Sequence, residues 1–152
     1  MKHLLPFAAL FALAACQQGQ PGGAGHHFAM PEPGAHDTWQ LVQGHFQGKA
    51  LNLAAHNAPI TLVISKDGFS GKSPVNQYNA PADISGNSVK LTGDIMTTRM
   101  ASDAAAMHLE SDYLQALRSA HTLQRNGNQL ILNGEQAQLQ YTLQSAPLAP
   151  QQ

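Results

Sequence analysis

Between residues 38 and 143 apolar and polar positions alternate over short stretches, the period-two signature of strands with one buried face. Trp39 and Leu41 set the spacing in Thr38-Trp39-Gln40-Leu41-Val42. Ile60 to Ser65 is rich in β-branched residues, and Lys66-Asp67-Gly68 makes a tight turn into Phe69-Ser70-Gly71, the returning strand of a hairpin. Tyr78 to Ile84 and Ser88 to Leu91 are shorter strand segments separated by Gly86-Asn87. The period then changes. From an N-cap at Ser102 or Asp103 to about Ala120, Met107, Tyr113, Leu114 and Leu117 fall near one face of a helix. Thr122 to Arg125, Gln129 to Leu132 and Gln138 to Leu143 return to strand, with Asn126-Gly127 and Asn133-Gly134 as hairpin turns. The pattern predicts a mainly β domain with one helix inserted late.

The two ends carry no such pattern. Lys2 precedes the apolar run Leu4 to Leu13, broken only by Pro6. A membrane span takes roughly 20 apolar residues, so this run reads as a signal peptide. Leu13-Ala14-Ala15-Cys16 looks like a lipobox, which predicts removal of residues 1–15 and diacylation of Cys16 as the new N-terminus. Two or three acyl chains on one residue anchor stably, where a single myristoyl-length chain binds at only about 10⁴ M⁻¹. Gln17 stands where an inner-membrane retention signal is usually Asp, so resemblance to bacterial lipoprotein sorting points to the outer membrane, on its periplasmic side. Residues 16–37 are Gly, Pro, Gln, Ala and His, a flexible tether by composition. The domain is placed at 38–145, and residues 146–152, with Pro147 and Pro150, form a tail.

Composition narrows the partners. From Cys16 onward the chain has 7 basic and 9 acidic residues. It therefore lacks the concentrated Lys and Arg of a nucleic-acid binder, and also a polybasic second membrane signal. Charged residues are 11% of the chain, against 16 Gln and 8 Asn, so neutral amides supply much of the polar surface. Cys16 is the single cysteine, which leaves the domain without an internal disulfide or a thiol site.

The candidate chemical motifs fail on their neighbours. Gly71-Lys72-Ser73 ends like a phosphate-binding loop, but Lys66 stands where that loop needs its first glycine, and Pro74 follows in place of a helix start. Gly68-Phe69-Ser70-Gly71-Lys72 misses the nucleophile elbow, which needs glycine at Lys72. His26, His27 and His36 share the tether with Met30 and could take up copper or zinc weakly, but closing a flexible segment around an ion costs ordering entropy. His45, His56, His108 and His121 lack ligand spacing. The nine carboxylates include no closely spaced pair suited to acid and base work, and Asp83, Asp94 and Asp103 could come together only through the fold. No catalytic residue, metal ligand set or cofactor is assigned.

Order and small motifs together resemble the META domain found in heat-shock lipoproteins of the HslJ type. The matching pieces are Trp39-Gln40-Leu41, then Ile60 to Ile64 through Gly68-Phe69-Ser70-Gly71 to Asn76-Gln77-Tyr78. Ile95-Met96-Thr97-Thr98-Arg99-Met100-Ala101 follows before the helix, Leu114 and Leu117 lie on it, and Leu130-Ile131-Leu132 leads to Leu139-Gln140-Tyr141. The resemblance implies a strongly curved antiparallel sheet or partial barrel of lipocalin-like topology packed against one helix. It also implies a non-enzymatic, lipid-anchored envelope protein active in heat or antibiotic stress. The cysteine pair of many members is replaced by Val75 and Ser102, so their disulfide cannot form; packing of Val75 and the rigidity of Pro74 are the expected substitutes.

Trp39, Phe69, Tyr78, Met100 and Tyr141 are read as core. Asn76 and Thr98 are read as buried polar groups that fasten loops. Asn76, Tyr78, Thr98 and Met100 together mark the candidate structural or binding loop. Beyond the membrane reached through Cys16, an envelope protein or a small apolar ligand held inside the sheet is the expected partner class, with a surface adhesin as the further alternative.

Overall fold

The computed structural model describes residues 37–144, so Cys16 and the signal peptide, tether and tail expected from the sequence lie outside the described residues, apart from Asp37. Strands β1 (Thr38–Phe46), β2 (Lys49–Ala50), β3 (Thr61–Ser65), β4 (Gly68–Lys72), β5 (Gln77–Ser85), β6 (Ser88–Leu91) and β7 (Met96–Thr97) precede the helix α1 (Ala104–Arg118). Strands β8 (Ala120–Asn126), β9 (Gln129–Gly134) and β10 (Ala137–Leu143) follow it. All pairings are antiparallel, and β1 is bonded to β3 on one side and to β10 on the other. That last ladder closes eight strands into a barrel in the order β1, β3, β4, β5, β6, β8, β9, β10, with β2 and β7 as two-residue appendages on β1 and β5.

The hairpins follow turn chemistry. Ser65 opposes Gly68 across Lys66-Asp67, and Gly68 has a φ of 125° with its missing Cβ only 2.3 Å from Ala80 O on β5. Glycine is needed there both for the backbone angle and for the approach of the next strand. The last turn differs from expectation: Asn133 and Gly134 remain in β9, and the chain reverses at 135–136. The helix also stops sooner than expected, at Arg118, and Ala120 already belongs to β8. Its N-cap is Asp103, whose Oδ1 accepts a hydrogen bond from Ala106 N at 3.0 Å. The helix-end amides hold this exposed carboxyl below its ordinary pKa.

Eight-stranded barrels have an interior that side chains either fill or leave open for one small ligand. Here it is filled. Trp39, Leu62, Phe69, Leu130, Leu132, Leu139 and Tyr141 point inward from the strands and are at most 1% exposed. The helix packs against β1, β9, β10 and a 3-10 turn at Leu53–Ala55, and adds Leu109, Tyr113 and Leu117 to the same core. A bulge between Leu41 and Gln43 shifts the inward parity of β1, leaving Val42 53% exposed and turning Gly44 toward Leu51 and Leu139.

The barrel has two unlike ends. Turns 66–67, 86–87 and 127–128 meet at one end. Asp37 enters there, and Gln144 leaves there with its N–H bonded to Thr38 O at 2.8 Å. Turn 47–48, loop 73–76, turn 135–136 and the stretch leading through β7 into α1 gather at the other. At the first end the Arg125 guanidinium lies 4.9 Å over the Trp39 ring and pairs with Asp37 at 3.1 Å, which covers the indole.

Candidate functional site

The helix end is organised around one amide. Asn76, 6% exposed, ends the β4–β5 loop, where Ser73 N and Ser73 Oγ both donate to Asn76 O at 2.8 Å and Pro74 is fully buried. Its Oδ1 accepts from Thr98 Oγ1 and from Met100 N, each at 2.8 Å. Its Nδ2 donates to Glu110 Oε1 at 2.9 Å. The same carboxylate takes Val75 N at 2.8 Å and Asn76 N at 3.4 Å on Oε2. Loop 73–76, the segment at 98–100 and α1 are thus tied through two side chains. At the expected substitute for a disulfide the fastening is hydrogen-bonded: Val75 is half-buried and contributes its N–H to Glu110.

A second polar feature runs through the core. Tyr78 Oη donates to Thr61 O at 2.9 Å and lies 3.0 Å from Tyr113 Oη, which lies 3.2 Å from Tyr141 Oη. Since the Tyr78 proton is committed to Thr61 O, Tyr113 donates to Tyr78 and Tyr141 donates to Tyr113. All three phenols of the chain form one directed row with every donor satisfied. Burial pushes all three well above the ordinary pKa of 10.0, so they stay neutral donors. Tyr78 and Tyr113 also meet edge to face, with ring centroids 5.8 Å apart.

The structure gathers Asn76, Tyr78, Thr98 and Met100 at this end with unequal roles. Asn76 is the hub and Tyr78 is core. Thr98 is exposed rather than buried, because β7 and the residues after it lie on the outer edge of β5. Only its hydroxyl turns in, to Asn76 Oδ1 and Gln77 N. Met100 is 63% exposed and is not core: its backbone faces Asn76, which sends the side chain to solvent. Met107, expected on the packed face of α1, is 38% exposed; the buried face runs through Ala106, Leu109, Glu110, Tyr113, Ala116 and Leu117. Sequence reasoning missed Glu110 and Tyr113 as site residues. The available signal for Glu110 was a carboxylate at helical spacing between Leu109 and Tyr113, inside the apolar stripe.

Among the described residues no three His, Cys, Asp or Glu side chains converge. Asp83, Asp94 and Asp103 are exposed. An open, polar depression of about 760 Å³ lies at the helix end, lined by His45, Gln47, Asn133, Glu135 and Gln138. A smaller one of about 280 Å³ lies beside Gln40, Leu53, His56 and Ile60.

These features define a closed antiparallel barrel of lipocalin-like topology, capped by one helix and filled by its own side chains. The family model for the META domain matches residues 33–146, and the chain belongs to the META domain family. A protein from Burkholderia xenovorans, solved by NMR, is similar at 23% identity and a TM-score of 0.59, over 84% of this chain and 100% of that one. A second NMR structure is 20% identical with a TM-score of 0.52, over 71% of this chain and 89% of its own. Both share the fold. No curated protein matches the sequence.

Proposed function

We propose that this chain is a lipid-anchored, non-enzymatic protein of the bacterial envelope. It is held through Cys16 on the periplasmic face of the outer membrane and supports envelope integrity under heat or antibiotic stress. The observation that carries the reading is the lipobox Leu13-Ala14-Ala15-Cys16 joined to a META domain. The barrel is compatible with that role in two ways. Its interior is occupied by Trp39, Phe69, Tyr113 and Tyr141, which leaves support or surface binding as the task rather than transport of a small apolar ligand inside the sheet. The described chain enters at Asp37, at the end away from the Asn76 hub, and the helix end is the surface assigned to an envelope partner in this reading.

Two measurements test this. Cys16→Ser should move the protein from the membrane fraction to the soluble periplasm, and deletion should raise outer-membrane permeability and sensitivity to heat or to antibiotics. Unchanged fractionation would remove the anchor; unchanged permeability and sensitivity would remove the stress role. The carrier alternative is tested by thermal shift with fatty acids, copper and zinc, on chains beginning at residue 17 and at residue 38. A shift with a fatty acid on both chains would favour an apolar carrier over the present reading.

A further inference from the structure

All the sulfur of the described domain is thioether, on Met96, Met100 and Met107, and all of it lies at the surface, 59%, 63% and 38% exposed. Methionine ordinarily fills irregular gaps in cores. This core is built from leucine, isoleucine, valine, alanine and aromatic residues and contains no methionine. The three thioethers fall within one stretch, from β7 to the first turns of α1, beside the Asn76 hub. The indole and the phenols are sealed: Trp39, Tyr78, Tyr113 and Tyr141 are at most 4% exposed. An oxidant arriving from solvent meets the thioethers first and the aromatic core last.

We infer that Met96 and Met100, with Met107 as a slower member, form a modification site for two-electron oxidants such as hydrogen peroxide or hypochlorous acid. With hydrogen peroxide the sulfur lone pair attacks an oxygen, an S–O bond forms while the O–O bond breaks, the electron pair leaves with hydroxide, and the proton lost from the transferred oxygen completes water. With hypochlorous acid the sulfur attacks chlorine and hydroxide leaves; water then displaces chloride from sulfur, forms the S–O bond and gives up its protons to that hydroxide and to solvent. The thioether is oxidised to sulfoxide and the oxidant is reduced by two electrons, with no cofactor required. The fold tolerates the change because these residues are held by their backbones. Met100 N is bonded to Asn76 Oδ1 at 2.8 Å, Met96 is paired with Asn79, and Met107 N donates to Asp103 O at 3.0 Å. Oxidation therefore makes the helix end more polar without opening the barrel, and methionine sulfoxide reductases can reverse it.

The test treats the chain from residue 17 onward with limiting hypochlorous acid, folded and in urea, and maps oxygen uptake residue by residue by peptide mass. The expected result is uptake at Met96 and Met100 in the folded chain at rates within about threefold of the unfolded chain. Met107 should be slower, Trp39 and the tyrosines unmodified, and the thermal midpoint unchanged. Strong protection of Met96 and Met100 in the folded chain relative to the chain in urea would overturn the inference. Loss of the folded transition as sulfoxide accumulates would overturn it as well.

Discussion

Replacing Asn76 by aspartate exchanges one nitrogen donor for an oxygen and leaves the shape unchanged, which makes it a sharp probe of the hub. Asn76→Ala removes the hydrogen bond to Glu110 Oε1 and the acceptor used by Thr98 Oγ1 and Met100 N. A bond to a charged group contributes about 1.5–3 kcal/mol and a neutral one about 1 kcal/mol, less where water can reach. The alanine variant should therefore lose about 3 kcal/mol of a total that is about 5–15 kcal/mol for a domain of this size. Asn76→Asp keeps the acceptor but sets a second carboxylate against Glu110, where Nδ2 now lies 2.9 Å from Oε1. At an effective dielectric of about 20 that repulsion is about 4 kcal/mol or more. Aspartate should thus be worse than alanine at neutral pH. The gap should narrow with acid: two carboxylates held together repel only while both are charged, so the penalty is present at neutral pH and is relieved as pH falls. A shared proton then restores a donor between the two oxygens. Urea unfolding followed through Trp39, the single tryptophan, measures both variants across pH. If aspartate were no worse than alanine at neutral pH, or if the gap stayed constant on acidification, the Asn76 amide would not be facing the Glu110 carboxylate.

The phenol row makes a directional claim: Tyr113→Phe leaves the Tyr141 hydroxyl without its acceptor and should cost about 2 kcal/mol, while Tyr141→Phe removes only the end of the row and should cost about 1 kcal/mol. Equal urea midpoints for the two variants would contradict the direction. Because only the unfolded state can ionise these phenols near their ordinary pKa of 10.0, their contribution to stability should be constant below that value and be lost as pH rises past it. Spectrophotometric titration should show tyrosinate appearing only as the fold is lost. Gly71→Ala would bring a Cβ to 2.2 Å from Thr61 O at a φ of 156°, and should cost about 3 kcal/mol of unfolding free energy in urea because the β3 backbone at Thr61 and Leu62 must move. Arg125→Ala should shift Trp39 emission to the red and cost about 1 kcal/mol, through loss of the cation over the indole ring.

Local pattern made much of this barrel legible. Trp39 and Leu41 announce the first strand, Asp67-Gly68 the first hairpin, and Ser102-Asp103 the start of the helix, which Asp103 caps. Non-local pairing was not legible. Nothing in the alternation of β1 says that its second edge meets β10, because closure depends on accumulated twist rather than on any one segment. The two-residue strands β2 and β7 are too short to show a period at all. Apolar identity misplaced Met100 and Met107, since the backbone bonds at Met100 and the helical phase at Met107 decide where those side chains go. Asn133-Gly134 carried a strong turn signal, yet the register of β9 with β8 and β10 runs through it and the reversal falls two residues later. Of the polar hub, Asn76 and Thr98 could be picked out as loop fasteners, whereas Glu110 was hidden by the expectation that charge on a helix faces solvent.

A filled META barrel held on an envelope membrane by its first mature residue is the central claim, and one mass spectrum bears on it directly. The protein is extracted from the membrane fraction, digested, and its N-terminal peptide is weighed. A peptide beginning at Cys16 and carrying a diacylglyceryl group is the predicted result. An unacylated peptide, or one beginning at any other residue, would contradict it.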